Sequence, residues 1–213
     1  MLPQGSPRWR RRKEDRPAEI IAAALAVFSE KGFAAARLDD IAARAGVSKG
    51  ALYLYFETKE DLFRAVVTET VAPDIDAVET MALGYQGDFA TLAKMVVARL
   101  TQVLGAPTVG AVVKMVVGES RNFPAIAKVW HDTLAARGMA LMSGLIARAQ
   151  ARGEVRPGDP RAYAVGLMGA LLMGVLWRET FVPVGAEPID LSALAAQHVE
   201  TILSGMLTEE ARA

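Results

Sequence analysis

The chain reads as all-α, with about nine helices, and three observations predict this. Apolar residues recur at helical spacing through most of its length, as in Ile20, Ile21, Ala24, Leu25 and Phe28. The composition is 52% hydrophobic but only 7% aromatic, with Ala, Leu and Met abundant, which favours packed helices over strands. The breaks between apolar runs carry caps, prolines and glycines, and no segment is strand-rich or repeated.

Residues 1–15 show no periodicity and contain Pro3, Gly5 and Pro7, so they are expected to form a flexible basic arm. The first helix begins near Pro17, a residue suited to the first helical position, and Gly32 ends it. The stretch LDDIAARAGVSKGALYLYF, residues 38–56, predicts two short helices around a tight turn. Ile41, Ala42 and Ala45 give the first of these one apolar face. Gly46 takes φ > 0 cheaply, Val47 plugs the angle between the helices, and the Ser48 hydroxyl caps the second. Leu52 and Phe56, four apart, face inward. Thr58-Lys59-Glu60-Asp61 has the form of a capping box and opens a fourth helix, docked through Leu62, Phe63, Val66 and Val67. Pro73 is expected to kink or interrupt that helix. Five more helices follow at about 88–104, 108–120, 124–151, 160–181 and 190–207. Gly105-Ala106-Pro107, Phe123-Pro124, Gly153, Asp159-Pro160 and Pro183 to Pro188 separate them, and Asp190 caps the last.

Composition narrows the function. At 213 residues the chain can bury a sizeable core in one large or two small domains. It has no cysteine, hence no disulfide framework and no thiolate metal site. Its start is Arg-rich without a following apolar core, unlike a secretory signal. The longest apolar run, Tyr163–Trp177, is shorter than the roughly 20 residues a bilayer requires, so it is expected to be buried in protein. Net charge is zero but uneven: residues 1–64 hold 12 Lys and Arg against 9 Asp and Glu, and residues 65–213 hold 12 against 15. A basic amino end on a neutral chain points to polyanion contact at that end. His131 and His198 are the only histidines and lie far apart, and HExxH, GxSxG and phosphate-binding glycine loops are absent. Neither a metal nor a cofactor is expected, and an enzyme built on a helical bundle is the remote alternative.

The pattern across residues 38–56 leaves Lys49, Gly50, Ala51, Tyr53 and Tyr55 pointing outward. An exposed helix with small residues at its start, a cation and two tyrosines suits a major groove lined by phosphates. Taken alone, the stretch also fits an ordinary helical hairpin. The flanks add landmarks in order: Phe28, Lys31-Gly32-Phe33, Asp40-Ile41-Ala42, Ala45 to Gly50, Leu52-Tyr53, Phe56 and Lys59-Glu60. As a set, Arg16 to Val67 resembles the amino-terminal domain of TetR-family transcriptional regulators. The segment ESRNFP, residues 119–124, more weakly resembles a subgroup of that family.

The resemblance implies a helix-turn-helix DNA-binding domain at residues 16–64 and a larger ligand-binding and dimerising domain at 65–213. It implies a homodimer that sets one copy of the helix after Ser48 into each of two successive major grooves of a palindromic operator. Tyr53 and Tyr55 match positions that contact phosphate, and Lys59 matches a backbone contact at a helix start. Lys49, Gly50 and Ala51 lie where base edges are read. Arg37 and Arg44 flank the preceding helix and either reach phosphate or pair with Asp39 and Asp40. Three residues depart from the family pattern: Ala36 and Ala51 replace common hydroxyl residues, and Leu54 replaces a frequent tyrosine. Ala51 can still touch a thymine methyl group. Direct readout is therefore expected to be sparse, with preference leaning on DNA shape or on the arm residues Arg8, Arg10, Arg11, Arg12 and Lys13.

For the carboxy-terminal part, the resemblance implies dimerisation through helices 160–181 and 190–207. Gly166, Gly169, Ala170 and Gly174 permit close approach, while Leu171, Leu172, Val175, Leu191, Leu194, Val199, Ile202 and Met206 supply apolar area. Intramolecular core is the alternative use of the same residues. Candidate ligand contacts are Met95, Arg99, Met115, Glu119, Phe123, Trp130, His131, Met168 and Trp177. The expected function is a cytoplasmic homodimeric repressor that a small apolar or amphipathic ligand releases from its operator. An activator, or a constitutive or architectural DNA-binding protein with no inducer, is the alternative.

Overall fold

The computed structural model describes residues 16–212; the basic arm expected at 1–15 lies outside the described residues. Helices α1 (Arg16–Ala35), α2 (Leu38–Arg44), α3 (Lys49–Tyr53) and α4 (Lys59–Val66) form the amino-terminal unit. Gly32 (φ 76, ψ 172) breaks the helical path of α1, as its sequence position predicts. Thr58 and Asp61 cap α4 reciprocally. Pro73 has no N–H for the carbonyl of Glu69, and the chain accommodates it by widening the turn before it. A π turn over Val67–Val71 therefore joins α4 to α5 (Ala72–Gly84).

Then come α6 (Phe89–Gly105), α7 (Pro107–Glu119) and α8 (Pro124–Trp130). A second π turn, His131–Ala135, leads from α8 into α9 (Ala136–Ala151). No proline or glycine within it announces this break in the helix expected over 124–151. The bundle ends with α10 (Pro160–Thr180), a 3-10 turn at Val182–Val184, α11 (Leu191–Met206) and the short α12 (Glu209–Arg212). The nine expected helices are present, two of them bent at π turns, with α12 in addition.

The apolar interior falls into two clusters. One joins α1 to α4 with Val109, Val112, Met115 and Val116 of α7, Ile126 and Val129 of α8, and Val175 of α10. The rings of Phe28, Phe33 and Phe63 meet in it at centroid distances of 5.5, 6.0 and 5.9 Å. Such pairs contribute about 0.5–1.5 kcal/mol each beyond the area they bury. The other cluster lies among α5, α6, α9, α10 and α11. Leu104 and Leu191 touch both.

Helix α10, with its 3-10 extension to Val184, is longer than the Tyr163–Trp177 run and is long and apolar enough to cross a membrane. It packs against α7, α9 and α11. Leu171 and Val175 on α10 and Val199 and Met206 on α11 are buried within the chain, a correction to their expected place on a dimer surface. Gly174 also serves the chain itself: a Cβ there would meet Leu191 at 2.7 Å and Leu194 at 2.9 Å. The outer face of α10 instead exposes Val165 (57%), Leu172 (44%) and Met173 (51%).

An acidic staple closes the far end of the bundle. Glu154 accepts the Phe89 N–H at 2.6 Å and pairs with Arg152. Arg152 and the Phe89 N–H together hold its carboxyl below the ordinary 4.5. A depressed carboxylate stabilises the fold above its unfolded pKa, and the gain is lost as pH falls through the lower folded value. Glu154→Gln should thus lower the melting temperature at neutral pH, and its gap from the native protein should close as pH drops below 4.5. Thermal unfolding across that range checks this; a gap independent of pH would assign the effect to packing.

Candidate nucleic-acid interface

The turn between α2 and α3 forms for local reasons. Gly46 has φ 66, and the Ser48 hydroxyl accepts the Ala51 N–H at 3.2 Å. Ile41, Ala42 and Leu52 are buried, and Phe56 closes the same core. Val47 packs half-buried against it. This anchors one side of α3 and leaves the other side open. Lys49, Gly50, Tyr53 and Leu54 are exposed, Ala51 is half-buried, and Tyr55 is half-buried against the core.

Gly50 has no intramolecular reason to be glycine. Its φ is not positive, and a Cβ there would meet nothing within 4 Å. Glycine inside a helix costs roughly 0.5–1 kcal/mol relative to alanine. The bare backbone on an exposed face is suited to close approach from outside.

Charge on this unit is paired locally. Lys49 meets Asp39 at 2.8 Å, Arg44 meets Glu30 at 2.7 Å, and Lys31 meets Asp40 at 2.8 Å. The hydrogen bond and charge of Asp39 raise the Lys49 pKa, and the hydrogen bond from Lys31 lowers that of Asp40. Arg44 thus pairs with a residue of α1 rather than with Asp39 or Asp40. Arg37 sits extended and exposed just before α2, with no ion pair among the described residues. Ala36 is buried, and Arg37 is the residue that precedes α2 without a side-chain cap.

Lys59 is placed unlike the other candidates. Its ammonium donates to the Phe33 carbonyl at 2.6 Å and the Ala36 carbonyl at 3.1 Å, 4.4 Å from the Phe33 ring centre. It fastens the end of α1 to the start of α4. A phosphate contact there requires the ammonium to serve both groups.

The base of the unit is bolted to α7. Both carboxylate oxygens of Glu119 accept backbone N–H groups, from Phe33 at 2.9 Å and Ala34 at 2.6 Å. The Phe123 ring meets that of Phe33 edge-on at 5.2 Å. Sequence reading placed Glu119 and Phe123 among ligand contacts. The joint they make spans 85 residues of chain, beyond the reach of local pattern, and ESRNFP was its only trace.

The other candidate ligand residues are scattered. Met115 is buried in the cluster shared with the amino-terminal unit, and Trp130 packs half-buried at its edge. Met95 is exposed, and Arg99 pairs with Asp74 at 2.9 Å. His131 is exposed, its Nδ1 2.9 Å from Asp132. Met168 packs against the second cluster, and Trp177 Nε1 donates to the Glu187 carbonyl at 2.9 Å. A groove of about 370 Å³ runs between α6 and α11, past Lys94, Val97, Thr101, Ser192, Val199 and Glu200. None of the nine candidates lines it. No group of three or more His, Asp or Glu side chains among the described residues is arranged to hold a metal.

Comparison with known proteins adds three findings. The family model for bacterial regulatory proteins of the tetR family matches residues 20–66, and that for the tetracyclin repressor-like C-terminal domain matches residues 85–201. The transcriptional activator FasR of Mycolicibacterium smegmatis is 42% identical over 59 residues, 28% of this chain and 27% of its own length. The chain spans 15% to 36% of the length of the curated relatives it matches. Among solved structures, FadR of Bacillus subtilis in complex with stearoyl-CoA aligns with a TM-score of 0.74 and 25% identity, covering 88% of this chain and 98% of that one. SmeT, the repressor of a multidrug efflux pump of Stenotrophomonas maltophilia, shares the fold with a TM-score of 0.71 at 20% identity, covering 92% of each chain.

Proposed function

This chain belongs to the tetR family of bacterial regulatory proteins, and from that premise we propose that it is a homodimeric repressor released from a palindromic operator by a small apolar or amphipathic ligand. It is a helix-turn-helix transcriptional regulator, and the families it matches are regulators rather than enzymes. One observation carries the finer reading. The open face of α3 is free of packing while the root of the same unit is bonded to α7 through Glu119. Residues 16–64 then act as the reading head and 65–213 as the body that binds ligand and pairs with a second copy. Arg37, Arg44, Lys49 and Tyr53, all exposed, are its DNA contacts, with Ser48, Gly50, Ala51, Tyr55 and Lys59 shaping the surface.

Dimerisation through α10 and α11 is supported on α10 by the exposed Val165, Leu172 and Met173, while α11 packs beside α10. An amphipathic ligand is supported by the stearoyl-CoA in the FadR relative. The protein works beside DNA in the bacterial cytoplasm. Ligand in the body must favour one spacing of the two heads over another, and the operator favours the other. Movement of α7 reaches the head through Glu119, Phe33 and Ala34.

Selection of the purified protein on a random duplex pool tests the DNA reading: an enriched inverted repeat is expected. Titration with acyl thioesters and other amphipathic molecules then tests release. Operator held as tightly at saturating ligand would overturn the release mechanism. Because FasR is an activator, transcription from a template bearing the selected site decides the sign, with repression expected.

A further inference from the structure

A single exposed apolar side chain is unremarkable on most surfaces, but Leu54 does not sit on most of the surface. It follows α3 with helical backbone (φ −69, ψ −20) and is 83% exposed, the most exposed of the large apolar residues described. At 3.6 residues per turn, positions 50 and 54 lie nearly opposite positions 52 and 56. Leu52 and Phe56 are the buried anchors of this helix. Gly50 and Leu54 are therefore the centre line of the outward face, one turn apart, with Lys49 and Tyr53 beside them. That centre line carries no polar side-chain atom.

We propose that Leu54 is a specificity-determining residue that selects thymine by packing on its C5-methyl group, with Gly50 letting the helix lie close enough for the contact. This rests on the reading of α3 as the DNA-facing helix. The floor of the major groove presents donors, acceptors and one apolar group, the thymine methyl. A leucine facing donors and acceptors would strip them of water and return no hydrogen bond. Facing a methyl, it buries apolar surface on both sides. Gly50 without a Cβ, and without any internal neighbour that a Cβ would meet, lowers the helix toward that floor.

The test uses the full chain and the inverted repeat enriched from random duplex. Each thymine of one half-site, and of its symmetry mate, is replaced by deoxyuridine, which removes only the methyl. The native protein is expected to lose about fourfold in affinity per methyl at one or two positions in each half-site, the transfer value of one buried methyl. Leu54→Ala, a change at an exposed position, is expected to bind thymine and deoxyuridine operators alike at those positions. Ala51→Gly serves as the parallel variant and should keep the methyl sensitivity at the positions where Leu54→Ala loses it. No sensitive thymine in the native protein, or a response that survives Leu54→Ala and disappears in Ala51→Gly, overturns the proposal. Failure to enrich any repeat overturns the DNA reading beneath it, a result distinct from enrichment without methyl sensitivity.

Discussion

Replacing Leu172 and Met173 together by glutamate should convert the protein to folded monomers and weaken operator binding on the order of 10²- to 10⁴-fold. Both side chains lie on the outer face of α10, so the subunit's own core tolerates the change. In a dimer joined through this face, two carboxylates per subunit would be taken from water without partners, at several kcal/mol each. A monomer engages one half-site at a time and loses the effective concentration that the linked second head supplies. Sedimentation equilibrium and operator titration read the two effects separately, and helix content by circular dichroism controls for folding. A dimer that persists in the double variant would place the interface elsewhere.

Glu119→Ala should have the second-largest effect. It leaves the Phe33 N–H without an acceptor, at about 1–3 kcal/mol for a buried unsatisfied group, while the exposed Ala34 N–H turns to water. Phe33 is fully buried, so its N–H has little access to water. The expected outcomes are a lower melting temperature, faster amide exchange at the end of α1, and an operator affinity that no longer responds to ligand. Gly32→Ala probes the same joint from the other side. At φ 76 a Cβ is strained, and it would lie 2.5 Å from Glu119 Oε1. The double variant should be less damaged than the two single losses added together, since removing the carboxylate removes the clash. Additive losses would mean that the two residues do not act on one joint.

Much of the fold was legible because its punctuation is local. Ser48, Thr58, Asp159 and Asp190 each cap the helix that the sequence assigns to them. Gly46 takes the positive φ expected of it, Gly32 breaks the helix it was expected to end, and Pro73 distorts its helix. The π turn at His131–Ala135 had no such signal. The inward and outward sides of α3 were legible from the spacing of Leu52 and Phe56. Long-range partners were not. Periodicity says which face of a helix is apolar but not what lies across from it, so Glu119 and Phe123 read as ligand contacts while they hold α1. For the same reason Leu171, Val175, Val199 and Met206 read equally as dimer surface or as core, and the chain covers them itself. On an all-apolar helix such as α10 the pattern cannot divide one neighbour's share from another's.

The paired charges of the head bear on how it searches a chromosome. Lys31, Lys49 and Arg44 each hold a carboxylate of the same unit. A phosphate that approaches any of these three cations therefore meets an incumbent anion, and exchanging one for the other yields little, since such exposed pairs are worth about 0–1 kcal/mol. On arbitrary sequence that exchange is nearly all that these cations offer, and the head lets go quickly. On the right sequence, contacts from the face of α3 add to it and the stay lengthens. On the proposal that α3 reads DNA, the carboxylates that hold these cations would act as timers, shortening each visit to the wrong address.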